Sequence, residues 1–288
     1  MEAKEQFKQL DLSNAFLFSL AFSDPEACAL VLQVILQKPV YKVMVQPEKS
    51  ILYSKEFRSV RLDVYARDSM EAEYDLEMQN EDQGNLPLRS RFYQAEMDAA
   101  ALKPGEDFKR LRPSYVIFIC AFDPFGEGYY RYTFENRCLE TGKPLGDGTR
   151  KIFLNTRGTR PEGVPKELIH FLQYLENSTD EFVQSTQDET VAKLHKRVTW
   201  LKEDRRWEAK YMTFEEMLQR KMDDGLRQGI QKGIQEGLQK GIAKGITEGI
   251  ALTKRVLRLN AQGMSAAEIS AQCGISLAEV ADILNMNE

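Results

Sequence analysis

From Gly225 the chain repeats every four residues, GLRQ GIQK GIQE GLQK GIAK GITE GIAL, with glycine at 225, 229, 233, 237, 241, 245 and 249 and Leu or Ile after each. Four residues advance a helix by about 400°, so in a helix successive repeats lie only about 40° apart. The glycine row and the aliphatic row then run side by side and wind slowly round the axis. Seven glycines in place of alanine would cost an isolated helix on the order of 6 kcal/mol. The pairs Lys232–Glu236 and Lys244–Glu248 return about 0.3–0.5 kcal/mol each. The deficit implies a packing partner. Small residues at every fourth position let two backbones approach closely, while the Lys, Glu and Gln between them exclude a membrane span. The expectation is a homo-oligomer joined through 225–252; the other reading is a flexible, linker-like helix.

Beyond the repeat, 253–288 reads as a small helical tail. In AEISAQCGISLAEVADIL (267–284), Gly274 opens a turn and Ser276 caps the next helix, which is helix-turn-helix spacing. Residues 276–288 hold no Lys or Arg to aim at base edges. A helical hairpin that packs on a partner therefore fits better than a transcription regulator.

Upstream, PEACALVLQVILQ (25–37) should be a core helix started by Asp24 and Pro25, followed by a strand at 41–46. SVRLDVYAR (59–67) and EAEYDLEMQ (71–79) alternate with period two and read as a hairpin. A helix at 86–102, a buried strand at 114–122, strands at 128–134 and 151–155, and helices from Pro165 complete the order. The pattern predicts an α/β core over 1–165, a helical region 166–224 packing on or extending it, the glycine-repeat helix 225–252 and the tail 253–288.

Chemistry is limited by what is scarce. There are two histidines, His170 and His195, and four cysteines at no ligand spacing, so zinc sites, zincins and thioredoxin-like centres are disfavoured. The polar N-terminus and short apolar runs predict a cytoplasmic chain with no membrane segment. The formal charge is −5, but its distribution matters more. Residues 63–82 carry eight acids (Asp63, Asp68, Glu71, Glu73, Asp75, Glu77, Glu81 and Asp82) against Arg67. Residues 143–160 carry five basic residues against Asp147. Either stretch could be solvated surface; the sharper reading is an acidic cluster that loads a divalent cation beside a basic segment that meets a polyanion.

In the hairpin, 67 and 73 flank the turn symmetrically, so a five-residue loop sets Asp63 opposite Glu77, with Cβ atoms about 5 Å apart, and Gln79 on the same face. Two carboxylates so placed could share one oxygen-preferring cation, Mg²⁺ or Mn²⁺; without one they repel. The alternative is that they form the polar face of a half-exposed hairpin.

FKQLDLSNAFLFSLAF (7–22), RLDVYARD (61–68), DLEMQNE (75–81), LRSRFYQAEM (88–97), YVIFICAF (115–122) and the glycine-repeat tail together resemble the recombination-promoting nuclease (Rpn) and transposase family of the PD-(D/E)xK nuclease superfamily. The resemblance covers roughly 1–250. It implies a restriction-endonuclease-like αβββαβ core with a helical C-terminal extension and Mg²⁺-dependent cleavage of DNA. It implies that Asp63 and Glu77 are metal ligands and that Gln79 stands where the superfamily usually has lysine. Gln can orient a water but cannot stabilise hydroxide by charge, so the metal must carry more of the load. Asp11 matches a recurrent acid near the family's N-terminus, although its spacing also fits a helix N-cap.

DNA contacts are expected from Arg150, Lys151, Arg157 and Arg160, and from at most one of Arg89 and Arg91, which sit two apart on one helix and cannot share a face. Either of that pair could instead bind Glu81 or Asp82. The function expected is a metal-dependent DNA endonuclease, linked to recombination or mobile elements. The alternative is a catalytically weak or inactive nuclease-like protein that acts through interaction and oligomerisation.

Overall fold

The computed structural model describes residues 2–51 and 60–285, with side chains described except at 2–4, 47–51 and 60–62. These residues divide into two compact units, Met1–Thr213 and Phe214–Glu288.

The first unit opens with helices α1 (Glu2–Gln9), α2 (Ala15–Phe22) and α3 (Pro25–Leu36). Each of the latter two starts where a side chain takes over orphan amides. Asn14 accepts from the N–H groups of Phe16 and Leu17, and Asp24 accepts from those of Glu26 and Ala27. Asp11 caps nothing; its carboxylate accepts from Ser178 N–H at 2.8 Å, tying the turn before α2 to the segment after the fifth helix. The alternative N-cap reading of Asp11 is thus displaced by Asn14, three residues on.

Strands β1 (Met44–Ile51), β2 (Val60–Arg67) and β3 (Glu73–Gln79) form an antiparallel meander, and α4 (Leu86–Ala101) leads to β4 (Ser114–Cys120). The predicted αβββαβ order is present from α3 to β4. β5 (Arg131–Phe134) and β6 (Thr149–Asn155) complete a six-stranded sheet in the order β1-β2-β3-β4-β6-β5, with β3, β4 and β6 parallel. Two strands differ most from expectation. The strand expected at 41–46 begins at Met44 and extends to Ile51. That expected at 128–134 shrinks to Arg131–Phe134 because Asp123 gathers the N–H groups of Phe125, Gly126 and Gly128 and the Tyr132 hydroxyl into a turn.

Parallel strands need a crossover, and α4 is the helix between β3 and β4 that covers one face of the sheet. Leu86 and Met97 of α4 pack there on Tyr65, Val116, Phe118, Cys120 and Phe153. The other face carries the larger core: Val64, Tyr74, Leu76, Ile117, Ile119, Ile152 and Leu154 meet α2, α3, α5 (Lys166–Glu176) and α7 (Glu189–Glu203), with α6 (Asp180–Thr186) between the last two. Within the helical region expected at 166–224, the chain breaks at Asp204, which has extended backbone and caps the next helix by accepting from Arg206 N–H.

That helix, α8 (Arg205–Ala261), carries the whole glycine repeat. Its aliphatic row, Leu226 to Ile250, stands 52–67% exposed, and a Cβ built on any of its seven glycines meets nothing within 4 Å. In the second unit, Val256 and Leu259 pack with Ile269 of α9 (Ala266–Cys273) and Val280 of α10 (Leu277–Asn285). Gly274 takes a left-handed conformation, and Ser276 and Glu279 cap α10 reciprocally. No single described helix is long and apolar enough to cross a membrane.

Candidate active site

The hairpin turn fixes the register on which the site depends. Asp68 accepts from the N–H groups of Met70 and Ala72 and from the Tyr74 hydroxyl, closing a five-residue loop in which Glu71 takes a left-handed φ of 61°. The ladder then runs Arg67↔Glu73, Ala66↔Tyr74, Tyr65↔Asp75 and Val64↔Leu76. At the next step side chains replace the ladder. Asp63 N–H donates to Glu77 Oε1 at 2.9 Å, and Met78 N–H donates to Asp63 Oδ2 at 3.3 Å. The two carboxylates thus lie side by side on the α4 face of the sheet.

This face is not the half-exposed one that alternation suggests. Glu73, Asp75 and Glu77 are all buried, because α4 lies over them. Three acids of the cluster serve the hairpin itself: Asp68 builds the turn, Glu71 pairs with Arg112, and Glu73 pairs with Arg67. Asp75 is different. It has no exposed surface, no amide, hydroxyl or cationic group among the described residues donates to its carboxylate, and the group beside it is the carboxyl of Glu77, two positions along the same face. Burial, and then the charges of Asp75 and Asp63, push the Glu77 carboxyl well above its usual range; burial pushes Asp75 up likewise. Burial and mutual repulsion thus disfavour charge on both carboxyls at once, and a cation beside them relieves that cost. Asp75 counts in the sequence only as one acid of the run, but the two-residue parity that places Gln79 on this face places it there too.

The cation that reaches this pair comes from α4. Arg89 Nη1 donates to Gln79 Oε1 at 2.5 Å, and Nη2 donates to Tyr93 Oη at 3.0 Å and lies 3.4 Å from Glu77 Oε2. Its guanidinium also lies 5.2 Å from the ring centre of Phe118 and 5.4 Å from that of Tyr93. Neither Glu81 nor Asp82 is its partner. Gln79 Nε2 donates to Glu81 O at 3.0 Å, so both ends of that amide are held. Arg91 points to solvent.

The four remaining basic candidates are not brought together. Arg157 and Arg160 follow the C-terminal end of β6, level with Gln79 through the register Gln79↔Cys120↔Asn155. Arg157 is paired with Glu176 at 2.9 Å, and Arg160 stacks on Tyr129 at 4.8 Å. Arg150 and Lys151 sit at the other end of β6, level with Tyr74 and Asp75. Arg150 follows the parity of Ile152 and Leu154, on the opposite face of the sheet from Glu77, and lies 3.6 Å from Glu135.

Among the described residues no three His, Cys, Asp or Glu side chains converge as a ready-made metal cage. The donors nevertheless suit Mg²⁺ or Mn²⁺. Mg²⁺ is commonly held by one or two carboxylates, with water and substrate phosphate completing the shell. Asp63 and Glu77 supply two such carboxylates, and the unpartnered oxygens of Asp75 mark a place short of positive charge.

A family model described as PD-(D/E)XK nuclease family transposase matches residues 15–225. The match spans the whole sheet and stops where the glycine repeat begins, so the repeat and the C-terminal tail lie outside it. No curated protein and no solved structure matches the chain.

Proposed function

The chain belongs to the PD-(D/E)XK nuclease transposase family, and from that premise we propose that it is a metal-dependent DNA endonuclease acting in recombination or the movement of mobile elements. The observation that carries this reading is the cross-strand pair Asp63–Glu77, locked by Asp63 N–H on Glu77 Oε1, beside Gln79. A bound Mg²⁺ or Mn²⁺ would lower the pKa of a water and draw charge from the scissile phosphate.

The chain's own residues do the rest. Asp63 and Glu77 present the carboxylate oxygens that hold the ion. Gln79 is fixed at both ends, and its Oε1, which accepts from Arg89, retains a second lone pair that can orient a water. α4 and Phe118 cover the acids, so charge interactions there are stronger than at an open surface. Arg157 and Arg160, at the same end of the sheet, are the better placed of the basic residues to meet DNA phosphates; Arg91 is free to join them. Asp11 accepts from Ser178 N–H and ties the turn before α2 to the segment after α5, which gives it a structural role.

Self-association through 225–252 belongs to the same reading. Ridges at every fourth residue pack at a crossing of about −50°, so one partner helix would cover only a few of the seven exposed repeats.

The test is plasmid nicking at low salt with Mg²⁺, comparing the full chain with Asp63→Ala. Nicking by the wild type that the variant loses supports the assignment. A wild type that does not nick, or a variant that nicks equally, refutes it and leaves the interaction protein as the better description.

A further inference from the structure

We propose that Arg89, reaching in from α4, supplies the fixed positive charge that the third residue of an acid-X-lysine motif would supply from the strand, with Gln79 as its tether. This rests on the nuclease reading above and names the residue that completes its site. The family description spells an acid, any residue and a lysine, whereas this chain has Glu77, Met78 and Gln79.

The side chain at the lysine position does not face open space. Its Oε1 accepts from Arg89 Nη1 at 2.5 Å while the same guanidinium lies 3.4 Å from Glu77 Oε2. Contacts with Tyr93 and Phe118 define the guanidinium's position, and its side chain is 24% exposed. A lysine at 79 would bring an ammonium to the guanidinium and the two cations would repel, so Gln79 and Arg89 form a matched pair. One neutral acceptor and one cation occupy the place of a single lysine.

The substitution changes the chemistry. A guanidinium does not deprotonate in proteins, so Arg89 cannot shuttle a proton as an amine could. It can act only as a positioning charge, fixing the Glu77 carboxylate and Gln79 and favouring negative charge that develops beside them. Arg89 had two other possible roles. As a DNA clamp it would extend to solvent rather than inward. As a mere counterion for a buried Glu77 it would be indifferent to what occupies position 79.

Charge transfer between positions 79 and 89 separates these roles. Full-length Arg89→Ala, Arg89→Gln, Gln79→Lys and the double variant Gln79→Lys/Arg89→Ala are compared by Mg²⁺-dependent plasmid nicking and by the Ca²⁺-induced rise in melting temperature. Arg89→Ala and Arg89→Gln are expected to lose about 10²–10³-fold in nicking, the usual effect of removing one transition-state donor. The double variant should recover at least tenfold of that loss, while Gln79→Lys alone should lose activity. The Ca²⁺-induced rise should be larger in Arg89→Gln than in the wild type, because the ion replaces the missing cation, and should fall back in the double variant.

A double variant that folds and nicks no better than Arg89→Ala overturns the proposal, as does an Arg89→Gln protein that nicks like the wild type. If the wild type itself does not nick, the nuclease reading fails and the Ca²⁺ measurement decides alone. Equal Ca²⁺-induced rises in the wild type and Arg89→Gln would then refute the role of Arg89.

Discussion

Replacing Asp75 with asparagine should stabilise the metal-free protein, and the gain should grow with pH. Asp75 is fully buried, has no amide, hydroxyl or cationic donor among the described residues, and sits against Glu77, whose carboxyl is also raised. In the unfolded chain both carboxyls titrate at about 4; in the fold the pair keeps a proton to higher pH. The folded state therefore binds more protons, and the stability this gives is present below the unfolded pKa and is lost as pH rises toward the folded value. One retained proton costs about 1.4 kcal/mol per pH unit across that window. Each pH unit inside that window corresponds to roughly 3–5 °C in melting temperature for a domain of about 200 residues. An asparagine side chain has nearly the same shape as the aspartate it replaces, carries no charge, and offers an amide N–H to Glu77. Thermal melts in EDTA from pH 5 to pH 8 should show the wild type falling as pH rises and Asp75→Asn staying closer to level; Ca²⁺ should flatten the wild-type profile. A variant that follows the wild-type slope, or is less stable at pH 7–8, would refute the reasoning.

Other expectations follow from exposed features. Changing Gly229, Gly233, Gly237 and Gly241 together to Ala should raise helicity by circular dichroism and stabilise the helix by about 3–4 kcal/mol, since each added Cβ meets nothing in the chain itself. If copies pack through the glycine row, light scattering should show the same variant losing its oligomer; an intact oligomer would exclude that row as the contact. Arg160→Ala should weaken binding to DNA of any sequence and reduce the slope of log affinity against log salt by about one; an unchanged slope would remove Arg160 from the DNA path.

The hairpin was legible because two signals agreed: apolar residues alternated on both strands, and 67 and 73 flanked a polar turn, so Asp63 and Glu77 could be set opposite each other before any coordinates. What the turn is made of, an Asp68 carboxylate collecting two amides and a hydroxyl, was not legible, since Asp68 reads as one more acid in a run of eight. Nor was the covering of that run. Alternation reports two faces and not which is wet, and α4, contributed by the crossover that follows β3, is what turned a polar face inward and left Asp75 unpartnered. Arg89 was visible as a cation near the site, but its choice of Gln79 and Glu77 over Glu81 and Asp82, nearer in sequence, follows from how α4 packs on the sheet, a tertiary matter. The basic residues at 150–160 looked like one patch because they are close in sequence; β6 separates them, since the ends of a strand of its length lie about 20 Å apart and neighbouring side chains face opposite ways. Asp11 was a candidate only by position, and Asn14 and Ser178 account for it.

The central claim is that Asp63 and Glu77 jointly hold a divalent cation. Soaking crystals of the full chain in Mn²⁺ and recording anomalous scattering above and below the manganese edge tests it directly. The expected result is a peak about 2.2 Å from one carboxylate oxygen of each residue, absent from crystals of Glu77→Ala. A peak elsewhere, or none at these carboxylates at saturating Mn²⁺, would contradict the account.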